Sequence, residues 1–294
     1  MKLLGFVLAL QVALGITLVA LVATDNLPFT GDHEADGSPP RAAAPHVDRF
    51  DGARAFRLLR RQVELGPRPA GSPESRRLAR LLRRIVPSGR YQEVPDGLRN
   101  VIGTVPGREP GYVVVGAHYD TKDISGFVGA NDGASGTAVA AELARTIRRP
   151  RHTVQFVFFD GEESPRGSHD FEADGLRGSK VAAETFAGAR AMVLLDFVGD
   201  RRLSIPRESN SSPGLWRKLR SAAGRVGALP VFPNRTGGSI TDDHIPFLDR
   251  GVPSIDLIDF DFPCWHRRCD DMSAVSERSV DAVGETVYEL LKTL

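Results

Sequence analysis

Several segments of the sequence carry carboxylate or imidazole side chains that together could bind a divalent metal ion and transfer protons. His118 is followed two residues later by Asp120, and the adjacent carboxylates Glu162 and Glu163 follow another apolar run. Neighbouring side chains on an extended chain point in opposite directions. One glutamate could therefore bind a metal while the other stays free as a general acid and base. A metal-assisted attack on a carbonyl carbon requires such a pair.

Three further segments supply candidate ligands. Asp132 precedes Gly133 at the start of a predicted helix, Asp196 lies in an apolar run, and His266 follows the last predicted strand. Zn²⁺ takes three or four N, O or S ligands, and carboxylates often orient its imidazole ligands. Taken singly, Asp132 could be a helix cap and His118 an ordinary packed histidine. A structural role explains Asp196 poorly, because a carboxylate is costly to bury without a partner.

The elements that must position these side chains predict an α/β fold. Near-continuous apolar runs, typical of strands covered on both faces, occur at residues 112–116, 154–159, 192–198 and 254–260. Apolar spacing predicts helices that include residues 56–63, 78–85, 134–147 and 280–294. In open α/β sheets, ligands bind beyond the carboxyl ends of the strands. The carboxylates and imidazoles that follow these strands are therefore expected at one edge of the sheet.

Composition excludes several classes of protein. The chain has 294 residues, 41% of them hydrophobic, with 38 basic and 37 acidic side chains and a net charge of +1. The apolar fraction excludes wholesale disorder and fibrous architectures. Near-neutral charge with scattered basic residues argues against a nucleic-acid partner.

The N-terminus has the pattern of a membrane element. Residues 3–23 form an apolar run that is long enough to cross a hydrocarbon core of about 30 Å, with Lys2 before it and acidic residues after it. This predicts a signal anchor with the remainder outside the cytoplasm. The alternatives are a cleaved signal peptide, which would make the protein secreted, and a buried core helix. Residues 24–46 are predicted to be a flexible stalk, and 47–294 the catalytic domain.

Six segments taken in order resemble the motifs of the zinc aminopeptidase-like family. They are GAHYDTK, GANDGASGTAVAAELAR, FVFFDGEES, LLDFVG, TDDHIPFLDRGVPSIDLI and FPCWHRRCDD. That family contains leucyl-aminopeptidase-type exopeptidases and glutaminyl-peptide cyclotransferases, and the resemblance covers roughly residues 50–294. It implies a three-layer α/β fold, with a central mixed, mostly parallel sheet flanked by helices.

The resemblance also implies roles for individual residues. In the cyclases, Asp132, Glu163 and His266 match the three ligands of one catalytic zinc ion, and Glu162 matches the general acid and base. The implied reaction converts the N-terminal glutamine of a peptide to pyroglutamate and releases ammonia. The expected protein is a zinc-dependent aminoacyltransferase that acts on peptide N-termini as a monomer.

The aminopeptidase branch of the family is the alternative. There Asp132 would bridge two zinc ions, with His118 and Asp196 completing the second site and Asp120 orienting His118. Free Glu162 would then activate water for hydrolysis of the first peptide bond. A third possibility is a non-catalytic ectodomain that keeps the fold for binding.

Three features favour the cyclase branch. The segment DDHIPFLDRGVP closely resembles the corresponding cyclase segment. Asp242 stands where aminopeptidases commonly have serine, and in cyclases it belongs to a carboxylate network, so it is expected to bond to Asp196 and hold the amide nitrogen. Trp265 resembles a pocket tryptophan that binds substrate, although it could instead fill the core. A second pocket tryptophan of animal cyclases is absent, and Ala117 replaces one of their paired cysteines.

The remaining candidates are assigned structural roles. Cys264 and Cys269 flank His266 and could form a short disulfide, or a thiolate could bind the zinc. His152, His169 and His244 are expected to be structural, with His244 orienting the loop that bears Asp242.

Overall fold

The computed structural model describes residues 44–294. The apolar run at 3–23 and residues 24–43 of the expected stalk lie outside the described residues. Within residues 44–294, no helix has the length and apolar character needed to cross a bilayer.

The core is a six-stranded mixed sheet. Its strands are β1 (Arg90–Val94), β2 (Leu98–Val105), β3 (Glu109–His118), β4 (His152–Phe159), β5 (Met192–Leu195) and β6 (Ser254–Leu257). They lie in the order β1-β2-β4-β3-β5-β6. The last four in that order pair in parallel, whereas β1 and β2 add antiparallel pairs at one edge. The predicted mixed, mostly parallel sheet is confirmed.

Helices cover both faces of the sheet. They are α1 (Gly52–Val63), α2 (Pro73–Ile85), α3 (Ala134–Thr146), α4 (Phe171–Asp174), α5 (Arg177–Thr185), α6 (Pro213–Val226), α7 (Ile245–Leu248) and α8 (Glu277–Leu291). Val113 and Val115 of β3 pack in one apolar cluster with α1, α2, α3, α6 and α8, whereas Val114 packs in the other cluster with α5 and α7. This alternation along one strand makes the three layers, as the family resemblance implied.

Strands β5 and β6 are shorter than predicted. The apolar runs continue past Leu195 and Leu257, but at Phe197 the backbone turns into the left-handed region with φ of 47°. Phe197 and Ile258 then belong to a small separate apolar cluster outside the main core. The chain therefore leaves the sheet early, and the residues after each strand become loops that face the site.

Two antiparallel strands are not predicted by the apolar pattern of the sequence, namely β1 at the edge of the sheet and β2 next to it. β1 is mostly exposed or half-buried and carries polar residues at both faces, so it lacks the period of two that identifies a strand. β2 is almost wholly buried but contains Asn100 and Gly103, which interrupt an apolar pattern.

A fully buried arginine ties the loops after α1 and β3 together. The guanidinium of Arg68 donates to the carbonyl oxygens of Gln62, Gly66, Val128 and Gly129 at 2.8–3.3 Å. Burial lowers the pKa of Arg68 to about 10, although the negative charges of nearby aspartates act to raise it. The guanidinium stays charged at neutral pH and holds the loop that leads into α3.

Replacing this arginine tests the inference. Arg68→Lys keeps the charge but has no planar fork, so several buried carbonyl groups lose their donors. We expect the free energy of unfolding to fall by about 2–4 kcal/mol in urea titrations. Arg76→Lys, at an exposed position of α2, is the matched control and should change it by less than about 0.5 kcal/mol. Equal stability of the two variants would contradict the assigned role.

Candidate metal centre and active site

The carboxyl ends of the parallel strands converge on one edge of the sheet. His118 is the last residue of β3, Glu162 and Glu163 lie just after β4, and Asp196 follows β5 directly. The loop after β6 contains His266. The structure therefore brings the predicted residues of these segments to a common site.

One group of donors surrounds the imidazole of His266. Its Nε2 lies 3.5 Å from Asp132 Oδ2 and 3.2 Å from Glu163 Oε1. Both carboxylate oxygens are buried and have no hydrogen-bond partner within residues 44–294. Buried polar atoms are rarely left without a partner. Three convergent N and O donors of this kind fit a zinc ion.

A second group of donors shares Asp132 with the first. His118 Nε2 lies 3.2 Å from Asp132 Oδ1 and 3.3 Å from Asp196 Oδ1. These three residues also satisfy the spacing of a metal site. The geometry thus allows one ion or two, with Asp132 between them.

Two aspartates hold the backbone of the candidate ligands. Asp270 accepts hydrogen bonds from the N–H groups of Asn131 and Asp132 at 2.7 and 3.0 Å. Asp120 accepts from the N–H groups of Glu162 and Glu163 at 3.3 and 3.2 Å. Asp270 is absent from the sequence-based candidates, because its partners lie more than 130 residues away.

The predicted orienting residue has a wider role than expected. Asp120 Oδ1 lies 3.7 Å from His118 Nδ1, close enough to face the ring but beyond hydrogen-bond distance. Gly133 has φ of 84°, and a Cβ there would lie 2.7 Å from the Asp120 carbonyl oxygen and 3.1 Å from His118 Cε1. Only glycine lets α3 begin this close to the site.

The two adjacent glutamates have different environments. Burial and then the charge of Glu163 raise the pKa of Glu162 well above its usual range. Burial also raises the pKa of Glu163, but His266 and Lys122 reverse the effect and lower it. Lys122 Nζ lies 2.9 Å from Glu163 Oε2. Glu163 is thereby held as an anion, whereas Glu162 lies beside the donor groups and readily holds a proton.

A cavity of about 460 Å³ opens onto these residues. Asp132, Glu162, Asp196, Asp242 and Trp265 all line it. The indole of Trp265 is 46% exposed and stacks on the His266 ring at 4.6 Å between centroids. The alternative that Trp265 fills the core is wrong, because the side chain lies at the mouth of the cavity.

One histidine is placed differently from the expectation. His169, assigned a structural role, is exposed and lines the cavity. His152 and His244 are buried, as a structural role requires.

The carboxylate network differs from the predicted one. No hydrogen bond between Asp196 and Asp242 occurs in the described part of the chain; Asp196 instead accepts from the Phe197 N–H at 2.9 Å. Asp242 lies near buried Asp256 of β6, whose two carboxylate oxygens have no hydrogen-bond partner within residues 44–294. Burial raises the pKa of Asp242, while burial and the charge of Asp242 raise that of Asp256 well above its usual range. Two close carboxyl groups of this kind retain a proton at neutral pH.

His244 lies between Asp256 and Glu208, a carboxylate that the sequence-based candidates did not include. Its Nε2 lies 3.2 Å from Glu208 Oε2, and its Nδ1 lies 3.7 Å from Asp256 Oδ2. Glu208 also accepts from the N–H groups of Asn210, Ser211 and Ile240. Burial acts to raise the pKa of Glu208, but His244 and these donors lower it to about 2.

A disulfide closes the turn that carries the histidine ligand candidate. Cys264 and Cys269 are bonded, with 5.4 Å between their Cα atoms, so neither is a free thiolate. His266 lies inside this turn with φ of 51°, a conformation that non-glycine residues seldom adopt. The cross-link restrains the turn in that conformation.

The chain is similar in sequence to known proteins. A family model described as peptidase family M28 matches residues 100–291. The glutaminyl-peptide cyclotransferase of Bos taurus is 30% identical over 64% of this chain, which spans 65% of that protein's length.

Solved structures of two kinds share the fold. The Porphyromonas gingivalis glutaminyl cyclase superposes with a TM-score of 0.74 at 30% identity, covering 83% of this chain and 99% of that one. A Zn-dependent exopeptidase from Parabacteroides distasonis gives 0.76 at 27% identity, covering 84% and 100%. Because cyclases and exopeptidases both superpose, the fold alone does not separate the two activities.

Opening the disulfide tests its link to the metal centre. Reduction should free the turn, so we expect about tenfold weaker retention of added Zn²⁺ during dialysis, measured by elemental analysis. The double variant Cys264→Ser, Cys269→Ser should show the same weaker zinc retention without reductant. Adding reductant should not weaken its zinc retention further. Unchanged retention with both thiols titratable would contradict the link.

The buried Glu208 predicts a pH-dependent contribution to stability. Its pKa is about 2 in the fold, against about 4.3 in an unfolded chain. The carboxylate therefore stabilises the fold by about 3 kcal/mol above pH 5, and this contribution disappears as the pH falls towards 2. The difference in unfolding free energy between the wild type and Glu208→Gln should shrink accordingly in urea titrations. Glu184→Gln, at an exposed ion pair, is the control and should show less than about 1 kcal/mol at any pH.

Proposed function

The chain belongs to peptidase family M28, and from that premise we propose that it is a zinc-dependent glutaminyl-peptide cyclotransferase. It would convert the N-terminal glutamine of a peptide to pyroglutamate and release ammonia. The observation that carries the proposal is the position of Glu162, a buried, protonatable carboxylate beside the Asp132–Glu163–His266 donor group and open to the cavity. The bovine and Porphyromonas relatives, which are named as cyclases, support the same reaction.

The metal would be held by Asp132, Glu163 and His266. Their mixture of imidazole nitrogen and carboxylate oxygen is suited to zinc, and the two unpartnered oxygens of Asp132 and Glu163 would gain a partner. Zinc bound there supplies a Lewis acid for the γ-carbonyl group of the substrate glutamine.

Glu162 would move the proton that the reaction requires. The substrate α-amine forms a new C–N bond to its own γ-carbon and loses a proton, which Glu162 accepts. The bond to the amide nitrogen then breaks, and Glu162 returns the proton so that ammonia can leave. A carboxyl group whose pKa is raised by burial suits both steps, since efficient proton transfer needs a pKa near the working pH. The tethered nucleophile also gains from proximity.

The other acidic residues of the cavity would hold the substrate. Asp242 lines the cavity with a carboxyl group that can bond to the amide nitrogen or the α-amine, and its buried Oδ2 has no hydrogen-bond partner within residues 44–294. Asp196 lies against His118, and burial raises its pKa to about 7. Trp265 would cover the bound glutamine at the cavity mouth.

A zinc aminopeptidase remains the second candidate, because the second donor group favours it. His118, Asp132 and Asp196 are spaced to hold another metal ion, as the two-metal peptidases require. In that case Glu162 would take a proton from water instead of the substrate amine. The two functions share the metal chemistry and differ in the nucleophile.

The protein is proposed to act outside the cytoplasm. The Cys264–Cys269 disulfide supports this location, since disulfides persist in oxidising compartments. The apolar run at 3–23 would serve as an anchor, or as a signal peptide that releases the domain.

The substrates separate the candidate functions directly. A glutaminyl peptide and an aminoacyl chromogenic substrate are offered to the zinc-loaded chain, and the products are analysed by mass spectrometry and an ammonia assay. Release of ammonia without chain shortening, with one zinc per chain, is expected. Free amino acid with two zinc ions would establish the peptidase, and no metal with no product would indicate a binding module.

The proposed role of Glu162 predicts a separation of metal binding from turnover. Glu162→Gln should keep zinc, since the residue is outside the first donor group, while kcat falls at least about 10²–10⁴-fold. Glu172→Gln, an exposed carboxylate of α4, is the matched control and should retain full activity. A near-normal rate for Glu162→Gln would show that another group carries the proton.

A further inference from the structure

A second cavity lies next to the proposed substrate pocket. It has a volume of about 230 Å³, and Ile240, Ile258 and Phe260 line both cavities. Pro206 adds another apolar group to the second cavity. Both Pro206 and Gly238 line the second cavity but not the first. The two spaces are therefore neighbours that share one apolar wall.

The shared wall ends in an exposed apolar ridge. Phe260 is 43% exposed and Trp265 46% exposed, with their ring centroids 5.1 Å apart. They are two of only three large apolar side chains that are exposed in residues 44–294. Phe197 packs edge-on against Phe260 at 6.3 Å and restrains it. A contiguous apolar surface beside a pocket is typical of a ligand-binding surface.

The charged groups at the second cavity are already partnered or lie at its rim. The Glu208 carboxylate is occupied by backbone N–H groups and by the Ser211 hydroxyl. Arg235 and Asp261 form an exposed ion pair of 3.5 Å at the edge. The interior of the second cavity is therefore suited to an apolar group, and its rim to the polar backbone of a peptide.

We propose that the second cavity is a subsite for an apolar side chain at the second or third residue of the peptide substrate, an inference that rests on the proposed function. With the N-terminal side chain in the first pocket, a peptide that leaves across the Phe260–Trp265 ridge passes the second cavity. Each extended residue advances the chain by about 3.3 Å, so the next residues reach the neighbouring cavity. The subsite makes the enzyme selective for the sequence that follows the N-terminal glutamine.

A peptide series measures the selectivity. The zinc-loaded full chain is assayed with glutamine amide, Gln-Ala-Ala, Gln-Leu-Ala, Gln-Ala-Leu, and the corresponding aspartate peptides. Burying a leucine side chain predicts kcat/KM about tenfold higher for one leucine peptide than for Gln-Ala-Ala. Aspartate at the same position should give no gain. Equal kcat/KM across the peptides would overturn the proposal.

Adding a side chain at the second cavity provides the structural test. Gly238 lines this cavity, and a Cβ there meets no atom within 4 Å, so Gly238→Leu adds an apolar side chain without a clash. This variant should lose the tenfold leucine preference. Gly224→Leu, at an exposed position of α6 with the same open surroundings, should keep that preference and the wild-type rate on glutamine amide. Retention of the preference by Gly238→Leu would overturn the subsite.

A binding measurement separates failure of the subsite from failure of the proposed reaction. The chain has two tryptophans, of which Trp216 is buried and Trp265 lies on the ridge, so peptide binding should change the emission of Trp265. Titration of zinc-loaded Glu162→Gln should show tighter binding of the leucine peptide. Tighter binding with no turnover by the wild type would keep the subsite and reject the cyclase. Turnover with no difference in binding or rate between the peptides would keep the cyclase and reject the subsite.

Discussion

The structure depends on the confinement of several carboxylates in one buried space. Asp132, Glu162, Glu163, Asp196 and Asp242 all lie within the same cavity and are almost completely buried. Like charges removed from water repel each other strongly, and each carries a desolvation cost. The pKa of four of them is consequently raised, burial being the largest cause in each. A divalent cation relieves this excess of negative charge better than protons can, because it also satisfies the unpartnered oxygens.

The surrounding fold distributes compensating groups around that space. Asp120 and Asp270 are acidic themselves, but backbone N–H groups neutralise part of their charge while they fix the ligand-bearing segments. Lys122 forms an ion pair with Glu163. The positive charge of buried Arg68 interacts with the negative charges of Asp132, Asp270 and Asp120. Removing any of these groups would shift both the position and the charge of the centre.

The sequence predicted much of the site, because His118, Glu163 and Asp196 lie in or just after apolar runs that end at the same edge of the sheet. The main strands were identifiable from that pattern, whereas the three layers and the grouping of Asp132, Glu163 and His266 were implied by the resemblance to a known family. The edge strand β1 was not, since its residues are exposed and lack alternation. Supporting residues such as Asp270 and Arg68 were also missed, because their partners are distant along the chain and no local pattern marks a buried polar contact.

The loop after β6 would couple the proposed metal binding to the recognition of a peptide. Within a few residues it carries His266, the indole of Trp265 stacked on that imidazole, and Phe260 packed against the indole. The disulfide restrains the same turn, so any motion of the Phe260–Trp265 ridge also moves the His266 imidazole. A peptide bound as proposed would order the ridge and, with it, the proposed metal ligand His266. Apolar contacts outside the pocket would then contribute to the rate as well as to affinity.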